Sequence, residues 1–149
     1  MHERAAYRVT ARLILIEGGR VLLVRHVHPD GRDFWCFPGG SVERGEQVRE
    51  AALREAREEL AIEVELLGVA HVQELAERGP VLDVFLLARR TRGEVALGSD
   101  PEHAHGDPVL RELAWVPLTD LPSWHVLPAQ FACELSANWT ANHSLLPIP

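Results

Sequence analysis

The 149-residue chain predicts an α/β fold built in layers, with a mixed sheet between helices. The order of elements carries that expectation: strands, a helix, more strands and a final helix, told apart by apolar period two against helical spacing. Glycine- and proline-bearing turns punctuate the order, and no internal repeat, linker or low-complexity tract interrupts it, so residues 1–149 read as one domain.

Residues 7–16 predict the first strand, with Val9, Ala11, Leu13 and Leu15 alternating with Arg8, Thr10, Arg12 and Ile14. Gly18-Gly19 signals a hairpin into a second, more apolar strand over 20–25. A polar loop over 26–33 contains Pro29-Asp30-Gly31 and must turn. A short aromatic strand over 34–37 stops at Pro38, ahead of Gly39-Gly40. Alternation there sends Phe34 and Trp35 to opposite sides, with Trp35 the better core residue. A helix is expected from about 45–46 to 60, where Ala52, Leu53, Ala56 and Leu60 form one apolar sector. Residues 64–75, bent at Gly68, and 81–88 predict an antiparallel pair joined at Gly79-Pro80, with Asp83 set inside the second, strongly apolar strand. A loop-rich stretch over 93–108 follows, then a strand over 112–118, a helix opening at 119–122, and an amphipathic helix over 129–139. Residues 144–149 read as irregular.

Composition bounds the function. A formal net charge of −7 argues against nonspecific binding of a nucleic-acid polymer, which calls for a basic stripe. The apolar runs are too short to span a bilayer, and no signal-peptide core follows Met1, so no membrane partner is expected. Cys36 and Cys133 lack C-x-x-C spacing, which favours a reduced, cytoplasmic setting. His26-x-His28 and His103-x-His105 lack partners at zinc-site spacing.

The helix over 45–60 carries the chemistry. Glu55, Glu58 and Glu59 stand at i, i+3 and i+4 and project from one side, where like charges repel by a few tenths of a kcal/mol per pair, about 0.2–0.5. Such a trio alone reads as a solvated face; a divalent cation, which takes oxygen ligands, is the alternative. The surrounding spacing favours the cation. Five residues separate Gly40 from Glu46, seven more separate Glu46 from Arg54-Glu55, and Ala56, Arg57, Glu58-Glu59, Leu60, Ala61 and Ile62 follow. This resembles the Nudix box, G-x5-E-x7-R-E-U-x-E-E-x-G-U with U aliphatic, and the chain is similar to Nudix hydrolases. Every charged position matches; Ala61 stands where the family has glycine, and Ala56 is small for an aliphatic position. An alanine forced into a left-handed helix cap would cost on the order of 1 kcal/mol.

The resemblance implies a Nudix-like α/β/α sandwich and hydrolysis of a pyrophosphate bond in a nucleoside diphosphate linked to another group. Mg2+, with Mn2+ as a substitute, would be held by Glu55, Glu58, Glu59 and the Gly39 carbonyl. Arg54 would orient a glutamate of the cluster, and Glu46 would fix the loop; a first-turn glutamate favoured by the helix dipole is the competing account of Glu46. The general base is either a helix glutamate or a later loop acid, with Glu102 preferred by fold analogy over Glu112, Asp100 and Asp107. Phe34 for a base and Arg25 and Arg32 for phosphates are the substrate-binding candidates, with Arg12 behind them. The expected partner is a small-molecule nucleotide, and a homodimer is an assembly open to the chain. In the family the chain resembles, a tyrosine beyond the box goes with dinucleoside polyphosphates and a proline with ADP-ribose. The sole tyrosine here, Tyr7, weakly disfavours the former, while Pro80, out of register, leaves ADP-ribose open beside nucleotide sugars and (d)NTPs. A catalytically silent nucleotide-binding or sensing module is the rival, but its hallmark would be lost carboxylates, and none is lost.

Overall fold

Ten residues of apolar alternation build the strand on which the other elements assemble. In the computed structural model, which describes residues 3–4, 6–75, 79–98 and 109–142, β1 (Arg8–Glu17) turns at Gly18-Gly19 into β2 (Arg20–Val27). β3 (Asp33–Cys36), β4 (Gly39–Ser41) and helix α1 (Val48–Leu60) follow. Next come β5 (Glu63–Leu75), β6 (Val81–Arg92) and β7 (Leu110–Pro117). A 3-10 helix (Leu118–Ser123), β8 (Val126–Leu127) and helix α2 (Ala129–Asn142) complete the order.

The sheet is mixed and has two wings. One runs β5-β6-β1-β4, the other β7-β2-β3-β8, and the β1–β2 hairpin joins them through Ile16↔Val21 and Glu17↔Arg20. β1 pairs in parallel with β6 and β3 with β8; the remaining pairs are antiparallel. β1 is buried on both faces, as a central strand must be. Ala11, Leu13 and Leu15 pack with Ala51, Ala52, Ala56 and Leu60 of α1, while Ile14 joins Phe37, Phe85, Phe131 and Leu135 on the α2 side. The fully buried alanines let α1 lie close against the sheet, and that closeness brings its carboxylates to β4.

Several boundaries differ from expectation for local reasons. β2 continues to Val27 because His26 and Val27 find partners in both β3 and β7, leaving a turn closed by His28 N–H to the Arg32 carbonyl at 2.8 Å. The glycine pair is a short strand, β4, paired to β1 through Arg12↔Gly39 and Ala11↔Gly40. Residues 119–122 belong to a 3-10 turn, and α2 extends past 139 to Asn142. β5 bends at Gly68 through a shift of register against β6. α1 starts at Val48, after the tight turn in which Glu46 N–H donates to the Glu43 carbonyl. Glu46 therefore precedes the helix and is not a first-turn residue.

Candidate active site

The turn before α1 points Glu46 back along the helix, and Arg54, two turns in, meets it. Arg54 Nε and Nη2 donate to the two oxygens of Glu46 at 2.8 and 3.0 Å, a fork on a carboxylate. Nη2 also donates to the Ser41 carbonyl at 2.9 Å, which ties the helix to β4. Nη1 sits between the acids, 2.8 Å from Glu55 Oε1 and 3.1 Å from Glu58 Oε2. One guanidinium thus fixes the turn, the glycine strand and two members of the trio. The hydrogen bond from Arg54 holds Glu46 below the usual carboxylate range against the opposing effect of burial, and its carboxylate partners raise Arg54 itself, Glu46 first.

Glu59 takes the other anchor. Its Oε2 accepts the Gly39 N–H at 3.1 Å. The first two positions of β4 are crowded: a Cβ on Gly40 would lie 2.3 Å from Glu55 Oε1, and one on Gly39 (φ 147°) would lie 2.0 Å from the Ala11 carbonyl oxygen. The backbone approaches the carboxylates as closely as it can without a side chain.

The trio differs in access. Glu55 and Glu59 are each 3% exposed, whereas the Glu58 side chain is 35% exposed. Buried carboxylates are retained when paired or when they coordinate a metal. Here Glu46, Glu55 and Glu58 share Arg54, Arg12 is a further cation toward Glu55 and Glu59, and unit charges 4 Å apart interact by about 4 kcal/mol at an effective dielectric near 20. Arg54 engages Glu55 Oε1 and Glu58 Oε2, and the Gly39 N–H engages Glu59 Oε2. The all-oxygen donor set fits a hard divalent cation. With the guanidinium between Glu55 and Glu58, no three acid, imidazole or thiol groups among the described residues converge at metal-holding distance.

The other expected residues are dispersed. Arg25 is bound by Asp33 through two bonds of 2.8 Å and by Glu112 at 3.1 Å, on the side of β2 where Trp35 packs edge-on against Trp124. This ion pair also takes up Glu112. Arg32 is held by Asp30 within its own exposed turn. Phe34 points the other way, stacked with His26 and His28 at ring distances of 5.8 and 5.7 Å. Glu102, Asp100, Asp107, the His103/His105 pair and residues 144–149 lie outside the described residues. The chain leaves the described part at Gly98, whose N–H donates to the Glu59 carbonyl at 2.9 Å.

A cavity of about 320 Å3 opens where the two wings splay apart. Arg8, Thr10, Arg12, Asp83 and Phe85 line it from β1 and β6, and Phe34 and Cys36 face them from β3. Asp83 accepts a hydrogen bond from the Thr10 hydroxyl, and its Oδ1 lies 3.8 Å from Arg12 Nε. Burial opposes the Arg12 charge, yet the nearby carboxylates of Asp83, Glu59 and Glu55 favour it, and its pKa is raised. Arg12 thus lies between the cavity and the acidic helix. Burial pushes the Cys36 thiol up to about 12, so it stays protonated. Thr10 and Asp83 escaped the sequence reading as site residues; the only signal was an acid inside an apolar strand.

A model of the NUDIX domain matches residues 6–135. The chain belongs to the NUDIX family. Human 8-oxo-dGDP phosphatase NUDT18 is 31% identical over 123 residues, covering 83% of this chain and 36% of that protein. The ADP-ribose pyrophosphatase of Methanocaldococcus jannaschii is 31% identical over 94 residues, 61% of this chain and 56% of its own. This NUDIX chain therefore spans between about a third and just over half of those relatives. The crystal structure of a MutT NUDIX hydrolase from Burkholderia pseudomallei superposes with a TM-score of 0.70 at 28% identity, over 87% of this chain and 97% of that one. The layered α/β fold is that of solved NUDIX proteins. Among the described residues, no helix of this NUDIX domain is long and apolar enough to cross a membrane.

Proposed function

We propose that this NUDIX protein is a Mg2+-dependent pyrophosphohydrolase acting on a nucleoside diphosphate linked to another group. The observation that carries the reading is the Arg54 fork, which gathers Glu46, Glu55, Glu58 and the Ser41 carbonyl around one side of α1. The names of the relatives, a phosphatase of 8-oxo-dGDP and a pyrophosphatase of ADP-ribose, support the reaction and disagree on the nucleotide. The substrate class therefore stays at ADP-ribose, nucleotide sugars and (d)NTPs. With both cysteines free, a cytoplasmic site of action suits the chain.

Glu55, Glu58, Glu59 and the Gly39 carbonyl would hold the cation. When bound, a divalent ion neutralises the polyanionic substrate and sharpens the acidity of nearby water. Arg54 keeps Glu55 and Glu58 in fixed rotamers, and Glu46 keeps Arg54 in place, so the acids are arranged before substrate arrives. Buried Glu55 and Glu59 suit holding; Glu58, the exposed member, suits proton transfer. Glu58 and Glu102 are the two candidates to accept the proton of the water that attacks phosphorus, as one P–O bond of the pyrophosphate breaks. Phe34, which lines the cavity with Phe37 and Phe85, would supply an aromatic wall for the base.

The test is a panel of ADP-ribose, NADH, nucleotide sugars, dinucleoside polyphosphates and (d)NTPs, assayed with Mg2+ or Mn2+. At least one should turn over, and Glu58→Gln should slow it by more than about 100-fold. Nucleotide binding without metal-dependent turnover of any of them would establish a silent module instead.

A further inference from the structure

We propose that Asp83 selects the nucleobase, admitting a guanine-type edge with two adjacent N–H donors. The proposal rests on the reading of the acidic helix as the pyrophosphate site, and it concerns the other end of the same substrate.

The cavity between the wings is apolar apart from a few groups. Phe34, Phe37, Phe85 and Cys36 supply flat or soft surface, and the polar groups are Arg8, Thr10, Arg12 and Asp83. Such a lining, mostly apolar with a few fixed polar groups, is how small-molecule sites obtain orientation and selectivity. Asp83 stands out. It sits inside β6 beside Val84 and Phe85, is 5% exposed, and pairs in register with Thr10. A carboxylate buried there is costly unless it is satisfied. Among the described residues its one hydrogen bond comes from Thr10, because Arg12 Nε at 3.8 Å is beyond hydrogen-bond reach. An ionised carboxylate accepts at about four lone-pair positions and donates at none, so most of its capacity is left for something entering the cavity.

The chemistry of the edge then decides the base. Guanine presents N1–H and the 2-amino group side by side, which a carboxylate binds bidentately with charge assistance. Its neighbouring O6 accepts, and Arg12 is the donor beside Asp83. Adenine presents one donor next to the N1 lone pair, which Asp83 would repel. Hypoxanthine keeps N1–H and O6 but lacks the 2-amino group. Arg12 also pairs across β1 with Gly39, whose N–H binds Glu59. A base at Asp83 therefore lies beside β1, whose other neighbour, β4, leads into the acidic helix.

Binding of the α,β-methylene analogues of GDP, IDP and ADP, measured calorimetrically in Mg2+, tests this without turnover. The wild-type chain should bind the GDP analogue at least about 10-fold more tightly than the other two. Asp83→Asn replaces an acceptor pair with one acceptor and one donor, which matches adenine better. It should weaken the GDP analogue about 10- to 100-fold and bring ADP and GDP analogues within about 3-fold of each other. The comparison of GDP with IDP on the wild-type chain needs no variant and so does not depend on Asp83→Asn folding. Equal wild-type affinity for the three analogues, no binding of the GDP analogue, or an unchanged preference in a folded Asp83→Asn protein would overturn the assignment. Metal-dependent turnover without base preference would sink this inference and leave the hydrolase reading standing; base preference without turnover would do the reverse.

Discussion

Single residues at the two ends of α1 make separable predictions. Ala61 adopts φ 57° and ψ 32°, with its N–H on the Arg57 carbonyl at 3.1 Å, a left-handed cap that suits glycine. Ala61→Gly should stabilise the chain by about 1 kcal/mol, a rise in Tm of about 2–4 °C, and leave turnover unchanged because the residue supplies no ligand. An unchanged or lower Tm would show the cap to be unstrained. At the other end, Glu46 has a folded pKa depressed by Arg54. A depressed acid stabilises the fold above its unfolded pKa and loses that contribution as pH falls through the folded value. Wild-type stability should therefore drop on acidification below the ordinary glutamate range near 4.5, and the drop should be smaller in Glu46→Gln. Parallel denaturant midpoints against pH for the two proteins decide the point.

At the scale of elements, the fit of α1 to β4 is the feature the site depends on. Gly40→Ala places a methyl 2.3 Å from Glu55 Oε1, and because that atom ends a side chain, the carboxylate can move while the backbone stays. Activity should fall by at least about 10-fold with a Tm loss of no more than a few degrees. Wild-type kinetics in this variant would mean that Glu55 does not need its place. Gly39→Ala meets the Ala11 backbone at 2.0 Å and should instead compromise folding. The helix was legible from its spacing, since three carboxylates, an arginine and a distant glutamate leave few other arrangements. β4 was not, because Gly-Gly-Ser carries no periodicity and becomes a strand only by pairing with β1. The helix start, expected at 45–46, falls at Val48 for a similar reason: the bond of Glu46 to the Glu43 N–H at 2.9 Å competes with helix entry.

Across the whole molecule, the proposed site follows from where the wings of the sheet join and part. Alternation along β1 was readable, but sequence does not show that its second face opens into a cavity, so Thr10 and Asp83 looked like ordinary strand positions. Arg25 looked free to bind phosphate because its partners, Asp33 and Glu112, are brought to it only by β3 and β7. Arg25→Ala should accordingly change KM for the hydrolysed nucleotide by less than about 3-fold, whereas removing a substrate-binding arginine costs about 10-fold or more. The acidic helix, by contrast, is local in sequence and could be read at once. The most direct test of its role is Mn2+ occupancy, followed by electron paramagnetic resonance, with product formation measured in the same samples for wild type and Glu58→Gln. Rate should rise in step with Mn2+ bound to the wild-type protein, and Glu58→Gln should lower both affinity and rate. Turnover that persists without a divalent ion, or a Glu58→Gln protein that binds Mn2+ and hydrolyses at the wild-type level, would contradict the account.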